Sequence, residues 1–287
     1  MEKKKVLVTG GAGFIGSHLC ERLVAAGYDV TSLDNYSTGQ KSNHIQGVTY
    51  IEGDTADIED KITFTPDLIF HLGEYARVEQ SFTDVKTVFK SNVQGTAAVL
   101  EFARSKKAKL VYAGSSTKFA DAGIGKDQSP YAWTKATNTN LVQRYGDWFG
   151  LEYAITYFYN VYGPRERGDN SSGTLIGIFA EKSSNGQELT VRMPGTQKRN
   201  FTHVSDIVDG LMLVGEKGSG DEYGLGHPDA YSILEVAEMF GGEILFLEER
   251  PGNRMSSGID VHRTQLELGW KPKYNLPEYI KSLKNEA

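Results

Sequence analysis

The chain of 287 residues has a single cysteine, Cys20, so no internal disulfide can form, and a reduced, cytoplasmic setting is the expected one. Cys20 falls inside a predicted helix and reads as a small buried apolar residue, not a nucleophile. Surplus positive charge is also missing: a formal net charge of −6 gives no electrostatic footprint for nucleic acid. Lys3-Lys4-Lys5 opens the chain, but the glycines at 10 to 13 interrupt the apolar stretch behind it. No signal peptide is therefore expected, and no apolar run is long enough to span a membrane. There is no internal repeat, no low-complexity tract and no metal-ligand motif. What remains is an ordinary globular composition, long enough for one large α/β unit or two interleaved lobes.

The chain is organised around its first strand and turn. Lys5-Val6-Leu7-Val8-Thr9 reads as a buried strand and runs into Gly10-Gly11-Ala12-Gly13-Phe14-Ile15-Gly16. Phe14, Ile15, Leu19, Leu23 and Val24 then share one face of a helix reaching Ala26. Glycines at 10, 13 and 16 let a pyrophosphate approach the backbone, and the helix amino terminus offers it free N–H groups. A second strand, Asp29 to Leu33, ends at Asp34, eighteen residues beyond Gly16. An acid there suits the adenosine ribose hydroxyls and disfavours a 2′-phosphate, which predicts a site for NAD. A strand-end turn role for Asp34, beside Asn35, is the bland alternative.

Further strands are predicted at Val48–Glu52, Asp67–Gly73, Lys109–Gly114 and Tyr153–Phe158, with Asp54 placed to meet the adenine edge. Helices are predicted from about Asp84 to Ser105 and from Ser129-Pro130 to about Phe149, the latter with Ser as cap and Pro at the first helical position. Strand and helix alternate to residue 158, the signature of a doubly wound parallel sheet. Residues 163–174 then read as a loop. Helical runs follow at 174–184, 205–217, 232–240 and 262–268, with short strands at 188–192 and 243–247. The expected division is a cofactor domain over 1–160, joined by about 199–225, and a smaller interleaved lobe over 161–198 and 226–287.

Tyr131-Ala132-Trp133-Thr134-Lys135 carries the chemistry, because on a helix Lys135 lies beside Tyr131. A free tyrosine loses its proton near pH 10, roughly three pH units too high for a base at neutrality. An adjacent ammonium and a positive nicotinamide both favour the phenolate. The Tyr-x-x-x-Lys spacing alone is common; it gains weight from the glycine turn, Asp34 and Ser115 at a strand end.

With these motifs the sequence resembles the extended short-chain dehydrogenase/reductases, in the branch of NAD-dependent nucleotide-sugar epimerases and dehydratases, UDP-glucose 4-epimerase-like. The likeness covers nearly the whole chain. It also rests on His71-Leu72-Gly73, Asn92-Val93-Gln94-Gly95-Thr96, Asn160-Val161-Tyr162-Gly163-Pro164-Arg165, Arg199-Asn200-Phe201, Arg250-Pro251-Gly252 and Leu268-Gly269-Trp270. The resemblance implies a Rossmann-type fold in which Leu72, Gly73 and Asn92 join the cofactor site. Tyr131 is then the base, Lys135 holds the nicotinamide ribose, and Ser115 bonds the reacting hydroxyl. Asn160, Arg199 and Arg250 hold the sugar and diphosphate, bidentate arginine suiting phosphate oxygens. Val191 and Arg192 fall near the base. For Arg165, Arg167 and Arg254 a surface ion pair is an equal alternative.

The family's 4,6-dehydratases place a glutamate just after the serine or threonine, where this chain has Ser116 and Thr117. Dehydration and glutamate-dependent decarboxylation are therefore disfavoured, leaving oxidation at carbon 4 and re-reduction: epimerisation. Release of the keto-sugar, a net oxidoreductase, shares the first half-reaction. A non-catalytic NAD sensor is the weakest alternative, because the tyrosine–lysine pair is kept. A residue seven positions after Arg250, Ser257, corresponds to a pocket position where small size admits N-acetylhexosamines. Departures from the family pattern are Lys118-Phe119-Ala120, a short segment between Phe119 and Tyr131, Tyr157, and Glu74, for which Arg77 is the expected partner. Family members commonly dimerise through a four-helix bundle, here implying a homodimer built on Phe89, Val93, Ala97, Leu100, Leu141, Tyr145 and Trp148. Core packing must claim some of them.

Overall fold

The computed structural model describes residues 3–116, 125–169, 173–248 and 258–286. Strand β1 (Lys5–Thr9) is buried on both faces, with Val6, Leu7 and Val8 inaccessible, as its unbroken apolar run requires. It lies in the interior of a seven-stranded sheet with β2 (Asp29–Asp34), β3 (Val48–Glu52), β4 (Leu68–His71), β5 (Lys109–Ser115), β6 (Tyr153–Phe158) and the strand Gly220–Leu225. Every pair is parallel, and the order is Gly220–Leu225, β6, β5, β4, β1, β2, β3. The order reverses between β1 and β4, which opens a crevice at their carboxyl ends.

Two apolar layers close the sheet. One packs helix α1 (Phe14–Ala25) and the helix Val204–Lys217 around Val6, Val8, Leu19, Phe70 and Leu211. The other packs Leu7, Ile69, Leu110 and Ile155 against Val99, Phe102 and Val142. The helix Pro130–Phe149 starts as its sequence predicts: Ser129 Oγ accepts from Ala132 N at 3.1 Å, and Gly150 ends it at φ +68°. The predicted helix from 84 to 105 is broken internally. Val85–Val88 passes into a π-helical segment, Phe89–Gln94, before Gly95–Lys106 resumes, and the wide turn carries Asn92 into the interior.

The smaller lobe has its own core of Tyr162, Phe179, Leu189, Val191, Val236, Phe240 and Ile280. Its helix Ile233–Phe240 opens with a full Ser232–Glu235 capping box. The predicted strands appear as Leu189–Arg192 paired with Ile244–Leu247. Residues near 264–270, placed by sequence in the smaller lobe, contact the large sheet. Thr264 donates to the carbonyl of Gly224 at 2.7 Å, and Trp270 joins the core under the large sheet.

Of the helix positions expected at a seam between subunits, Leu100 belongs to the core, and Leu141 and Tyr145 pack against it. Trp148 is 62% exposed, and Phe89 stacks on Trp133 at the surface. No described helix is long and apolar enough to cross a membrane.

Candidate active site

A cavity of about 470 Å³ sits at the crevice where the strand order reverses. At one end, β1 turns into α1 through backbone with no room for a side chain at Gly10 or Gly16. Gly10 has φ +76°, and a Cβ there would come 2.9 Å from Gly73 Cα on the neighbouring turn. A Cβ on Gly16 would reach within 2.1 Å of the Gly10 carbonyl oxygen. Gly13 caps α1, and Gly10, Gly13, Phe14, Ile15 and Gly16 all line the cavity.

Asp34, 7% exposed, is fixed at the end of β2 by N–H donors from Ala12 at 2.9 Å and Tyr36 at 2.8 Å. Burial pushes its carboxyl above the usual range, and those two bonds partly offset the effect. Asp34, Asn35, Leu72 and Gly73 line the same cavity. A glycine turn leading into a helix amino terminus and a strand-end carboxylate, all lining one cavity, fit NAD.

Asp54 lies beside, not in, this cavity. It accepts from Asn35 Nδ2 and Lys90 Nζ, each at 2.7 Å, and lines an adjoining hollow shared with Asn35 and Thr55. Those two donors hold its carboxyl below the ordinary range.

At the other end stand Ser115, Tyr131 and Lys135, brought together by β5 and the Pro130–Phe149 helix. The Tyr131 hydroxyl donates to Ser115 Oγ at 3.4 Å. Lys135 Nζ donates to the carbonyl of Ala113 and forms an ion pair with Glu74, the two side chains being only 6% and 4% exposed. The expected partner of Glu74, Arg77, is therefore corrected to Lys135, which projects from the helix facing the turn after β4.

The second Glu74 oxygen accepts from Thr96 Oγ1 at 2.8 Å, Asn138 Nδ2 at 2.8 Å and Tyr112 OH at 3.2 Å. Burial works against the charge on Glu74, but Lys135 and these hydrogen bonds outweigh it and hold the carboxyl below its ordinary value. His71 extends the network: Nδ1 meets Thr9 Oγ1 at 2.7 Å and Nε2 meets Thr96 Oγ1 at 3.0 Å. Thr9 Oγ1 already accepts from Leu72 N and Gly73 N, so its proton goes to Nδ1 and Nε2 carries the ring hydrogen. Burial pulls the His71 pKa down to about 4, which keeps the ring neutral.

Several expected site residues stand elsewhere. Asn92 is fully buried; its Oδ1 accepts from Tyr75 N at 2.7 Å and its Nδ2 donates to Tyr75 O at 3.1 Å. Both ends are used up in holding the loop that carries Glu74 and Arg77, so Asn92 shapes the site without lining it. Val191 is inaccessible in the core of the smaller lobe, since alternate residues of its strand face inward. Arg192 beside it donates to the carbonyl of Glu248. Asn160 lines the cavity, with φ +38° and its Nδ2 donating to Asn200 O at 2.8 Å. Arg199 is on the strand Lys198–Asn200, outside the cavity lining. Arg165 pairs with Glu21 at 2.6 Å and Arg167 with Asp169 at 2.7 Å, the surface alternative. Thr117, Phe119, Arg250, Arg254 and Ser257 lie outside the described residues. Among the described residues no group of acids, histidines and cysteines could hold a metal ion.

The Glu74 network is what the sequence reading missed. Its signal was present as a polar face at helical spacing: Asn92 and Thr96 on one helix, Thr134, Lys135 and Asn138 on the other.

The model of the NAD dependent epimerase/dehydratase family matches residues 6–226, and the chain belongs to that family. It is 31% identical to a putative UDP-glucose 4-epimerase of Methanocaldococcus jannaschii, over 98% of this chain and 97% of that one. It is 30% identical to UDP-glucuronic acid decarboxylase 1 of Xenopus tropicalis, over 96% of this chain and 70% of that protein. The fold superposes on UDP-glucose 4-epimerase of Thermus thermophilus, solved in complex with NAD. That match has a TM-score of 0.88 and 28% identity, and covers 99% of this chain and all of the other.

Proposed function

We propose that this protein is a nucleotide-sugar 4-epimerase that uses NAD and acts through a transient 4-keto intermediate. Its proposed substrates are UDP-glucose and UDP-galactose and, through a small residue at Ser257, the UDP-N-acetylhexosamines. The observation that carries the reading is the pair of hydroxyls on Tyr131 and Ser115, 3.4 Å apart, on the wall of a cavity continuous with the glycine turn.

When bound, NAD supplies a two-electron acceptor and donor for carbon 4. Tyr131 takes the proton of the 4-hydroxyl as the carbon is oxidised and gives it back on re-reduction. Ser115 holds the same oxygen, fixing it in reach of Tyr131. Inversion requires the ketone to present its other face, so the pocket around the sugar must allow it to turn. In this reading Asn160 positions the sugar, and Arg199 and Arg250 hold the diphosphate. The described residue after Ser115 is Ser116, which has no carboxylate to remove a proton at carbon 5.

A second reading draws on the kinship with UDP-glucuronic acid decarboxylases. Oxidation of a uronate at carbon 4 by the same residues gives a β-keto acid, which can lose carbon dioxide. Incubation of the purified protein with each UDP-hexose, UDP-N-acetylhexosamine and UDP-glucuronate, without added cofactor, separates the two. Interconversion of a pair of 4-epimers supports the epimerase. Formation of a UDP-pentose with release of carbon dioxide supports the decarboxylase, and growth of NADH absorbance on the protein supports net oxidation.

A homodimer is proposed for the face carrying Phe89, Trp133 and Trp148, which is exposed in the single chain. Its mass in solution, measured by light scattering, should be twice that of the chain.

A further inference from the structure

Tyr-x-x-x-Lys chemistry asks the lysine for a positive charge beside the base. Here that charge does not stand alone. Glu74 is in direct contact with Lys135, and the two side chains are 4% and 6% exposed, so little water screens the pair. Three further donors, from Thr96, Asn138 and Tyr112, fix the other carboxylate oxygen. Neither side chain has another position open to it without breaking several buried bonds.

We propose that Glu74 is a positioning residue that anchors Lys135 and, by forming a buried ion pair with it, cancels much of its field at Tyr131 and at the nicotinamide. The inference rests on the reading of Tyr131 and Lys135 as the acid–base pair. A lysine ammonium has three N–H donors. One goes to Glu74 and one to the carbonyl of Ala113, leaving a single donor for a cofactor hydroxyl. Oppositely charged groups in contact act on a third group as a dipole, whose field falls away faster than that of a lone charge.

The other groups around the pair do not restore the lost charge. His71, from β4, is kept neutral by burial, with a pKa of about 4. Tyr112, from β5, lies under the ammonium with its ring centroid 4.4 Å from Nζ, and burial with Glu74 beside it holds its proton well above the ordinary range. Among the described residues, Arg77, from the loop after Glu74, interacts electrostatically with Tyr131, and Arg167 and Asp169 also act on Arg77. Tyr131 therefore draws less on the lysine charge than it would on an unpaired lysine.

Glu74→Gln keeps the size and one acceptor oxygen while removing the charge. The acidic limb of kcat/KM should move to lower pH by about one to two pH units, the scale of an unscreened neighbouring charge. Tyrosinate absorbance, taken as the difference between E74Q and E74Q/Y131F, should appear at lower pH than the same difference between the parent and Y131F. Glu74→Asp, which withdraws the carboxylate by one methylene, should shift both in the same direction by less, and serves if the glutamine variant does not fold. An unmoved limb would overturn the proposal. A limb moved to higher pH would as well, because that shift is the one expected if Glu74 only keeps the lysine charged and in place. The tyrosinate titration needs no substrate. No shift in an active enzyme sinks this inference alone, whereas a shift in a protein that turns over no nucleotide sugar sinks the epimerase reading alone.

Discussion

The two ends of the cavity are built by opposite means. The glycine end works by what is missing: Gly10, Gly16 and Gly73 bring backbone so close that a single Cβ would collide. The tyrosine end works by what has been added, a buried carboxylate and ammonium with Thr96, Asn138 and Tyr112 turned toward the carboxylate. Space is specified by glycine itself, at Gly16 against Gly10 within one turn and at Gly10 against Gly73 across two neighbouring turns. Charge is specified by distant sequence, since Glu74 and Lys135 are 61 positions apart. The first kind of site fails by steric filling and the second by leaving one charge unpaired.

Substitutions separate the two. Tyr131→Phe should give the largest effect, a loss of about 10³-fold in kcat with the fold and cofactor retained, the range of a general acid–base residue; steady-state rates beside circular dichroism check it. Lys135→Met should lower stability by about 3–5 kcal/mol, because Glu74 is left as an uncompensated buried charge, and urea titration reads it directly. Gly16→Ala should cost roughly 1–3 kcal/mol by overpacking and release bound NAD, visible as lost cofactor absorbance after gel filtration. Ser232→Ala breaks only the capping box of the smaller lobe. It should cost about 1 kcal/mol and leave cofactor content unchanged, measured by the same two methods.

The charged end also predicts an acid sensitivity. His71 is neutral when folded, with a pKa of about 4, against about 6.5 in the unfolded chain. The unfolded state therefore binds the extra proton first as pH falls, and stability should decline from near pH 6.5 down to about 4. Glu74 acts in the same sense at lower pH. Its depressed value contributes stability above the ordinary carboxylate range, lost as pH falls through the folded value. Urea midpoints across pH check this, and His71→Gln should flatten the upper part of the curve.

How much of this was legible follows the same division. Strands β1 to β6 and the helix from Pro130 show in apolar runs, Ser129-Pro130 and Gly150, all local signals. The edge strand Gly220–Leu225 was not visible, because it opens with Gly, Asp and Glu and gains its burial only at Tyr223 to Leu225, against β6. The helix Leu276–Glu286 lies beyond the predicted helical runs, although Leu276 and Ile280 fall on one face. In the site, Gly10, Asp34, Tyr131 and Lys135, marked by spacing, and Ser115, marked by the resemblance, line one cavity. Asn92 is buried outside the cavity lining and Val191 faces the core of the smaller lobe, because a motif or a strand position does not say which way a side chain turns. Glu74 showed only as a departure from pattern, and its partner required the fold.

The most direct test of the account uses a UDP-hexose carrying deuterium at carbon 4, incubated with the purified protein in ordinary water without added cofactor. The account predicts the 4-epimer with deuterium still on carbon 4, because oxidation and re-reduction take place on one cofactor within one closed site. Deuterium lost to solvent, or a product other than the 4-epimer, would contradict it.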